Sequence, residues 1–463
     1  MIEEYNMKRL ETDSLGKIAV NTTHYWGAQT ERALLHFKIG SEPMPPEVIM
    51  ALALVKKAAA KVNADLSILK KNKAAAITRV CDEILANKLT HHFPLTIWQS
   101  GSATQTNMNI NEVIANRATK LQKGKISDKK FLHPNDDVNM SQSSNDVFPT
   151  AMHLATALLL TKKLLPAIKN LRQELSIISK KFNRVLKVGR THLQDALPLT
   201  IGQEFSGYTA QIDLAIRTIE NSLPYLQDLA IGGTAVGTGL NSPPNFGKKV
   251  AQELTKLTGT KFKSAPNKFC MLAAHDALLI ASGALKTLAT ILFKITNDIR
   301  WLASGPYCGL GELILPSNEP GSSIMPGKVN PSQCEVMLMV CAQVIGNDSV
   351  VSFANSQGNF ELNVFKPIII YNVIQAINLL SNACSSLVKN ALKGIKVNHK
   401  KLADYFANSL MTVTALNPII GYDKSCEIAK YAARHRVSLR TACDKLGYKN
   451  LNLDQLITQK LRR

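Results

Sequence analysis

The sequence predicts a mainly α-helical protein organised around a central bundle of long helices. Three observations carry that expectation. Ala and Leu are plentiful while aromatic residues make up only 6% of 463 residues, and both Ala and Leu lose little side-chain entropy in a helix. Five long stretches after residue 149 keep a helical apolar pattern with few glycines or prolines. The segments that join them are rich in Gly, Ser, Thr and Asn, as loops are. At roughly 150 residues per domain the length suggests about three domains. The expected division is 1–140, mixed and mostly helical; 141–399, the long-helix bundle; and 400–463, a small helical domain.

Taken in order, the N-terminus Met1–Thr12 carries Glu3, Glu4 and Glu11 and has no apolar stretch, so it reads as neither a secretory signal nor a transit peptide. Up to about residue 140, short helices such as Val48–Ala64 alternate with loops, among them Ile39–Pro46 and Leu132–Asp137. The first long helix is expected over Pro149–Phe182, kinked at Pro166 because proline lacks the N–H of the helical ladder. The second runs from Gln203 to Ala230, with Pro224 near its end. The third, His275–Ser304, would be roughly 45 Å long and is apolar on nearly every face, so it must be surrounded by other helices or lie at a subunit interface. The last two are Gln333–Gln357 and Pro367–Lys393, the latter with Pro367 in its first turn and Gly394 as its stop. Five such helices on irregular connectors imply an antiparallel bundle. Long polar connectors, here Ile231–Phe246 and Gly305–Pro331, are where function concentrates. Short helices resume after 400, with turns at Asn417-Pro418 and Gly447.

Lys and Arg number 55 against 34 Asp and Glu, a net charge of +21. Such an excess suits an anionic partner or simply a solvated surface. The basic residues are scattered in short groups such as Lys129-Lys130 and Lys400-Lys401, with no aromatic-interleaved basic face, which argues against nucleic-acid binding as the main role. The eight cysteines form no C-x-x-C pair and no zinc-spaced cluster, so they are expected to be buried reduced thiols of a cytoplasmic protein. Ile368–Val388 has no formal charge and could span a bilayer by length. However, Asn372, Gln375, Asn378 and Asn382 form a polar stripe on one helical face, which fits a buried bundle helix and no membrane span.

Four polar stretches can carry chemistry. They are Gly101–Asn109; His133-Pro134-Asn135-Asp136 with Ser141–Asp146; Gly189–Asp195; and Gly321–Pro331 followed by Glu335. The first two cluster Ser, Thr and Asn just before helices. Those side chains serve as helix caps, and the adjoining N–H groups suit a small carboxylate. In the fourth, two glycines and two prolines frame a loop that displays two hydroxyls, the Lys328 ammonium and the Asn330 amide. Lys328 suits a carboxylate by charge and Asn330 by hydrogen bonds.

The fourth stretch resembles the signature loop of the fumarase/aspartase superfamily, and the resemblance extends over nearly the whole chain. It is closest to the class II fumarases. Trp26–Thr30, Gly232–Gly239, Ala415–Asn417 and Gly421–Lys424 support the likeness. His192 favours fumarases over aspartases, which typically carry Gln there, and Ser143-Ser144-Asn145 favours them over the Ser-Thr-Asn of aspartases. One departure is Ala103, where fumarases have Gly; it adds a methyl beside a substrate contact. Aspartate ammonia-lyase is the alternative within the superfamily, and a non-catalytic structural protein on the same scaffold is the alternative outside enzymes.

The resemblance implies a three-domain fold whose long-helix bundle forms a tetramer core. It also implies reversible hydration of fumarate to L-malate in the tricarboxylic acid cycle, without metal or organic cofactor. Ser322 is then the base that takes a carbon-bound proton, His192 handles the departing water, and Glu335 orients His192. Ser102, Thr104, Ser143, Ser144, Asn145, Thr191, Ser323, Lys328, Val329 and Asn330 hold the dicarboxylate. His133, Pro134, Asn135 and Asp136 form a second, non-catalytic dicarboxylate site. In the family each active site draws on three subunits of a homotetramer.

Overall fold

The computed structural model describes residues 7–126, 130–448, 451 and 456. Met1–Asn6 of the acidic N-terminus, Lys129 and most of the chain after Tyr448 lie outside the described residues.

Helices dominate. By contacts the chain forms two compact units, and every boundary between them falls inside a long helix. The first unit comprises residues 1–166, 217–289 and 341–381; the second comprises 167–216, 290–340 and 382–463.

In the first unit the chain opens with a hairpin, β1 (Lys8–Asp13) and β2 (Gly16–Asn21), paired antiparallel. Then come α1 (Ala28–His36), α2 (Pro46–Asp65), α3 (Lys71–Leu85) and α4 (Thr104–Lys123). Pro46 begins α2 at the position where its missing N–H costs nothing. The middle of α4 is buried all round although it is rich in asparagine: Asn107, Asn109, Asn111 and Asn116 are within 1% of full burial. Buried amides persist only when they are paired, and here they hold neighbouring loops. Asn116 Nδ2 donates to the Tyr25 carbonyl at 2.9 Å, and Asn109 Nδ2 to the His92 carbonyl at 3.0 Å.

Glu112, also on α4 and buried, caps α1 from outside. Its carboxylate accepts the N–H groups of Gly27, Gln29 and Thr30 and the Thr30 hydroxyl, at 2.6–3.2 Å. The Trp26–Thr30 motif is thereby explained: a side chain on Gly27 would meet the Glu112 carboxyl at 3.0 Å.

The first long helix starts at Ser144, five residues before the expected Pro149, because Ser143 and Asp146 form a capping box. It runs as α5 (Ser144–Leu159), a π turn (Leu160–Leu164) and α6 (Leu165–Lys181). The expected irregularity at Pro166 is this π turn. It sits one turn upstream, where the carbonyls that Pro166 cannot engage must be accommodated. Next are β3 (Leu186–Thr191) and β4 (Gln194–Thr200), an antiparallel hairpin with a bulge at 188–190. Then follow α7 (Ile201–Leu226), β5 (Asp228–Leu229), α8 (Phe246–Thr258), β6 (Lys263–Ser264), α9 (Lys268–Ala273) and α10 (Asp276–Leu302). After β7 (Leu313–Ile314) come α11 (Ser332–Asn355), α12 (Lys366–Leu387) with a terminal π turn to Leu392, and β8 (Lys396–Val397). The chain closes with α13 (His399–Asn408), α14 (Asn417–Ile420), α15 (Tyr422–His435) and α16 (Leu439–Lys445). Val413, Leu416, Ile428, Ala432, Leu439 and Ala442 form an apolar cluster of their own there.

Polar bonds tie the long helices together within each unit. Lys286 Nζ and Ser282 Oγ of α10 reach Asp348 of α11 at 2.6 and 2.8 Å. The polar stripe of α12 is paired as a buried bundle helix requires. Gln375 Oε1 accepts from Asn347 of α11, and Asn378 bridges Lys163 and Glu47. In the second unit Arg172 of α6 holds Asp213 of α7, and Tyr208 of α7 donates to Asp298 of α10. Four helical segments, 144–181, 276–302, 332–355 and 366–392, are long and apolar enough to cross a membrane. Helices α10 and α11 also keep large apolar side chains exposed. Trp301 and Phe293 of α10 are 53% and 41% exposed, and Phe353 and Met339 of α11 are 68% and 64% exposed.

The cysteines depart from expectation in part. Cys81, Cys334, Cys341, Cys384 and Cys443 are buried and Cys426 is half-buried, but Cys270 and Cys308 are exposed, on a short helix and a loop that leave them uncovered.

Replacing Glu112 with Ala would leave three backbone N–H groups and a hydroxyl without their acceptor. A loss of about 3 kcal/mol is expected, read as a lowered thermal midpoint. An unchanged midpoint would mean that water replaces the carboxylate at no cost.

Candidate active site

The 321–331 segment closes on itself. Gly321 N–H donates to the Lys328 carbonyl at 2.8 Å, and Asn330 Nδ2 donates to the Gly321 carbonyl at 2.6 Å. A side chain at 321 would lie 2.7 Å from both Lys328 O and Asn330 N, so only glycine permits this closure. Gly327 takes the left-handed conformation, φ +79°. Ser322 Oγ accepts two backbone N–H groups, from Met325 at 2.9 Å and Ile324 at 3.2 Å. Two donors aimed at a hydroxyl oxygen lower the cost of negative charge on it. Ser323, Lys328 and Val329 are exposed. Pro331 ends the loop, and its carbonyl accepts from Cys334 and Glu335 to start α11. Glu335 sits exposed on that first turn.

Thr191 and His192 lie at the tip of the β3–β4 hairpin, which the sequence reading did not anticipate as strands. Gly189 and Pro198 lie inside the strands, where both residue types are depleted, and the turn lacks the Asn-Gly or Asp-Gly signal. The tip is a two-residue turn with both central residues left-handed, His192 at φ 56° and Leu193 at φ 59°. Left-handed backbone at a residue with a side chain costs roughly 1–2 kcal/mol, so the strands must enforce it. Ion pairs under the hairpin do so. Buried Lys187 lies 2.8 Å from Glu204 and 3.2 Å from Glu312, and Arg190 Nη1 lies 2.6 Å from Glu312 Oε1. The Arg190–Glu312 approach is a charge contact rather than a linear hydrogen bond, since neither atom has a well-aligned partner. His192 itself is exposed. Among the described residues no hydrogen bond or ion pair joins it to Glu335.

The first two polar stretches meet in the first unit. Ser102 Oγ lies 2.9 Å from Thr104 Oγ1, at the N-terminus of α4. Between them Ala103 is fully buried at φ +58°. Its departure from glycine is therefore a matter of backbone strain more than of a methyl near a ligand. Ser143, Ser144 and Asn145 sit at the N-terminus of α5, where Ser143 Oγ accepts Asn145 N–H at 3.2 Å and the Ser143 carbonyl accepts Asp146 N–H at 3.3 Å.

Asp146 holds them there. Its carboxylate accepts Ser143 N–H, Gly232 N–H and Thr234 N–H, each at 2.9 Å. Burial pushes this carboxyl up to about 6, against the pull of the three donors. Gly232 and Thr234 belong to the glycine-rich 231–246 connector. Asn145 Nδ2 donates to the Ala235 carbonyl of the same connector at 2.9 Å. Asn107 Nδ2 donates to Ser144 Oγ at 2.9 Å. The resulting wall presents hydroxyls, amides and helix N-termini, and no formal charge.

His133–Asp136 was expected in a loop; Pro134–Val138 form a π turn instead. His133 Nδ1 caps it by accepting Asp136 N–H at 3.1 Å, while Asp137 accepts His133 N–H and pairs with Lys73. His133, Pro134 and Asn135 line the rim of a cleft of about 1140 Å³ that also presents Arg9, Lys17 and Lys130. Among the described residues no group of three or more His, Cys, Asp or Glu is placed to hold a metal ion.

Sequence reasoning missed the supports of this site. Asp146 stood inside a quoted stretch, and the Ser143-x-x-Asp146 spacing was a usable capping signal. Asn107 was likewise in view. Lys56, discussed below, lies on α2 in a Lys-Lys pair that looks like any solvated helix face.

Comparison with known proteins adds the following. A family model described as "Lyase" matches residues 16–346, and one described as "Fumarase C C-terminus" matches residues 413–459. A protein of Thermosynechococcus vestitus named "Fumarate hydratase class II" is 58% identical over 440 residues, covering 95% of this chain and 94% of the relative. One of the same name from Bacillus subtilis is 53% identical over 438 residues, covering 95% of each. Among solved structures, the class II fumarase from Schistosoma mansoni superposes with a TM-score of 0.94 at 42% identity, covering 98% of this chain and 99% of that one. A fumarate lyase:delta crystallin from Brucella melitensis superposes with a TM-score of 0.89 at 38% identity, covering 95% of this chain and 100% of that one.

Ala103→Gly tests the strain at the start of α4. Glycine adopts a positive φ without penalty, so stability should rise by about 1 kcal/mol, seen as a higher thermal midpoint. A lower midpoint would show that the packing of the buried methyl outweighs the strain.

Proposed function

The chain belongs to the class II fumarate hydratases and catalyses the reversible hydration of fumarate to L-malate, and we propose that it does so by general acid–base catalysis through an aci-carboxylate intermediate. In the dehydration direction a base removes a proton from the carbon next to one carboxylate. The C–H bond is weakly acidic, so the charge left behind must be stabilised as it flows into that carboxylate. Lys328, Asn330 and the helix N-termini at Thr104 and Ser144 are suited to this.

The observation that carries the proposal is the environment of Ser322. A serine is a poor base unless its alkoxide is stabilised. The two N–H groups donated to Ser322 Oγ provide that stabilisation, with Lys328 adding charge from the same loop. His192 is the second group. An imidazole exchanges protons near neutral pH, so it protonates the departing hydroxyl, through a water, as the carbon–oxygen bond breaks. Glu335 sets the orientation and basicity of His192. Ser102, Thr104, Ser143, Ser144, Asn145, Thr191, Ser323 and Val329 complete the dicarboxylate pocket. His133, Pro134, Asn135 and Asp136 form a second dicarboxylate site at the rim of the cleft, whose lining carries Arg9, Lys17 and Lys130 together with Glu11, Asp13 and Glu112.

These groups are assembled in a homotetramer, each active site drawing on three subunits. The exposed Trp301, Phe293, Phe353 and Met339 support this, because apolar faces of that size on long helices need a cover. The same reading makes the apolar helices a subunit core and not membrane spans. It places the enzyme in the cytoplasm and in the tricarboxylic acid cycle. The three-part division at 140 and 399 is proposed with it.

Ultraviolet absorbance of the conjugated double bond should rise with L-malate and stay flat with L-aspartate; the reverse would make the chain an ammonia lyase. His192→Asn should lose at least about 10²-fold in turnover while the assembly size, read by light scattering, is unchanged. Near-normal turnover would remove His192 from the mechanism. Ser322→Ala should nearly abolish activity, and retained exchange of the substrate C–H proton with solvent would assign the base to another group.

A further inference from the structure

The wall that carries Ser143, Ser144 and Asn145 is neutral, yet the substrate is a dianion. Directly behind that wall lies one buried cation. Lys56, on the inner face of α2, has no exposed surface. Its Nζ donates to Asn139 Oδ1 at 2.9 Å and to Gln142 Oε1 at 3.1 Å. Both are uncharged amide oxygens. Among the described residues no carboxylate lies within ion-pair distance of it. A buried ammonium with only neutral contacts is costly, and the fold retains it beneath the dicarboxylate pocket.

The surroundings leave its charge incompletely answered. From α5 the nearest acid is Asp146, whose oxygens are taken by the three N–H groups it clamps; its field opposes the effect of burial, which pulls Lys56 down to about 7. From α3 it faces Cys81, whose thiol burial pushes up to about 12 and so keeps neutral. From α4 and the π turn come only amides. On α8, which also packs against α2, Glu253 pairs with Lys61 instead. A short relay leads outward. Asn139 Oδ1, held by Lys56, also accepts from Asn107 Nδ2 at 3.2 Å, and Asn107 Nδ2 donates on to Ser144 Oγ. Because Ser144 Oγ accepts on its inner side, its proton is free to point outward, toward an acceptor such as a carboxylate.

We propose that Lys56 is a positioning residue for the substrate: a buried ammonium whose missing counter-charge is the carboxylate held at Ser143–Asn145, coupled to it through Asn139, Asn107 and Ser144. This rests on the reading that those three residues hold the dicarboxylate. The charge acts on the bound dianion before and during reaction alike, so it governs KM more than kcat. Only the protonated form attracts, so affinity for a dianion falls as pH rises through the ionisation of Lys56, from about 7 upward. Bound dianion raises that ionisation in turn.

The test uses the full chain and succinate, a saturated dicarboxylate that is not turned over. Calorimetric titration of His192→Asn, which removes the histidine's own ionisation, is carried out between about pH 6.5 and about pH 9. The dissociation constant should rise about tenfold across that range; a flat profile overturns the proposal. On the native background Lys56→Met and Lys56→Gln should each raise KM for L-malate about tenfold or more, with kcat changed less than about threefold. Normal KM in the glutamine variant, which keeps a hydrogen-bonding tip without the charge, would assign Lys56 a packing role and overturn it. Lys56→Arg, charged at every pH, should keep the affinity and lose its pH dependence; a persisting pH dependence would place the ionisation elsewhere. Should one variant fail to fold, the others and the histidine-variant titration still decide. Ser144→Ala tests the underlying reading separately: unchanged succinate affinity there would strike the pocket assignment.

Discussion

The Asp146 carboxylate is the contact on which the first half of the site depends. One buried acid caps α5 through Ser143, receives Gly232 and Thr234 from the glycine-rich connector 86 and 88 residues on, and so makes two segments into one wall. Burial alone opposes its ionisation, and its carboxyl stands at about 6. The three N–H donors and the field of Lys56 hold it charged at neutral pH. The sign of the linkage follows. Its folded value lies above that of an unfolded aspartate, so its contribution to stability is largest in acid and is lost as pH rises through about 6. The fold tolerates this because an ionised Asp146 holds Ser143, Ser144 and Asn145 in place.

The other proposed site residues are held by different means with the same logic. Each sits on an exposed tip whose base is rigid. The His192 turn is strained at two consecutive residues, and buried Lys187, Glu204, Glu312 and Arg190 lock the strands beneath it. The Ser322 loop is closed by Gly321 and Asn330 across its neck. Left-handed backbone and buried charge both occur at these places, as expected where backbone geometry serves a site. Ala103 belongs to the same set: a buried, left-handed residue at the start of a helix whose first side chain is a proposed ligand.

Exposed tips and exposed apolar helix faces are complementary facts. Thr191, His192 and Lys328 are exposed, while α10 and α11 present tryptophan, phenylalanine and methionine outward. The proposed association of copies through those helices would satisfy both, giving the proposed catalytic tips a fixed counterpart and covering a helix that is apolar on most of its faces.

By itself the sequence determined the long helices, because a 3.6-residue apolar period extended over twenty or more residues has no other solution, and it determined the chemical inventory of the loops. The 321–331 segment was legible as a loop, since Gly321, Pro326, Gly327 and Pro331 frame it, but its closure by Gly321 and Asn330 was not. The paired stripe of Asn372, Gln375 and Asn378 was legible as a buried face. The tertiary structure decided the rest. The β3–β4 hairpin carries Gly189 and Pro198 inside its strands, and buried ion pairs rather than local propensity hold it together. The early start of α5 follows from a carboxylate engaged elsewhere in the fold. Lys56 is indistinguishable in sequence from the half-buried Lys57 beside it, which pairs with Asp82; only the packing of α3, α4 and α5 around α2 removes water entirely from one and not from the other. Periodicity and turn chemistry are local and can be read along the chain, whereas desolvation depends on what the rest of the chain places nearby.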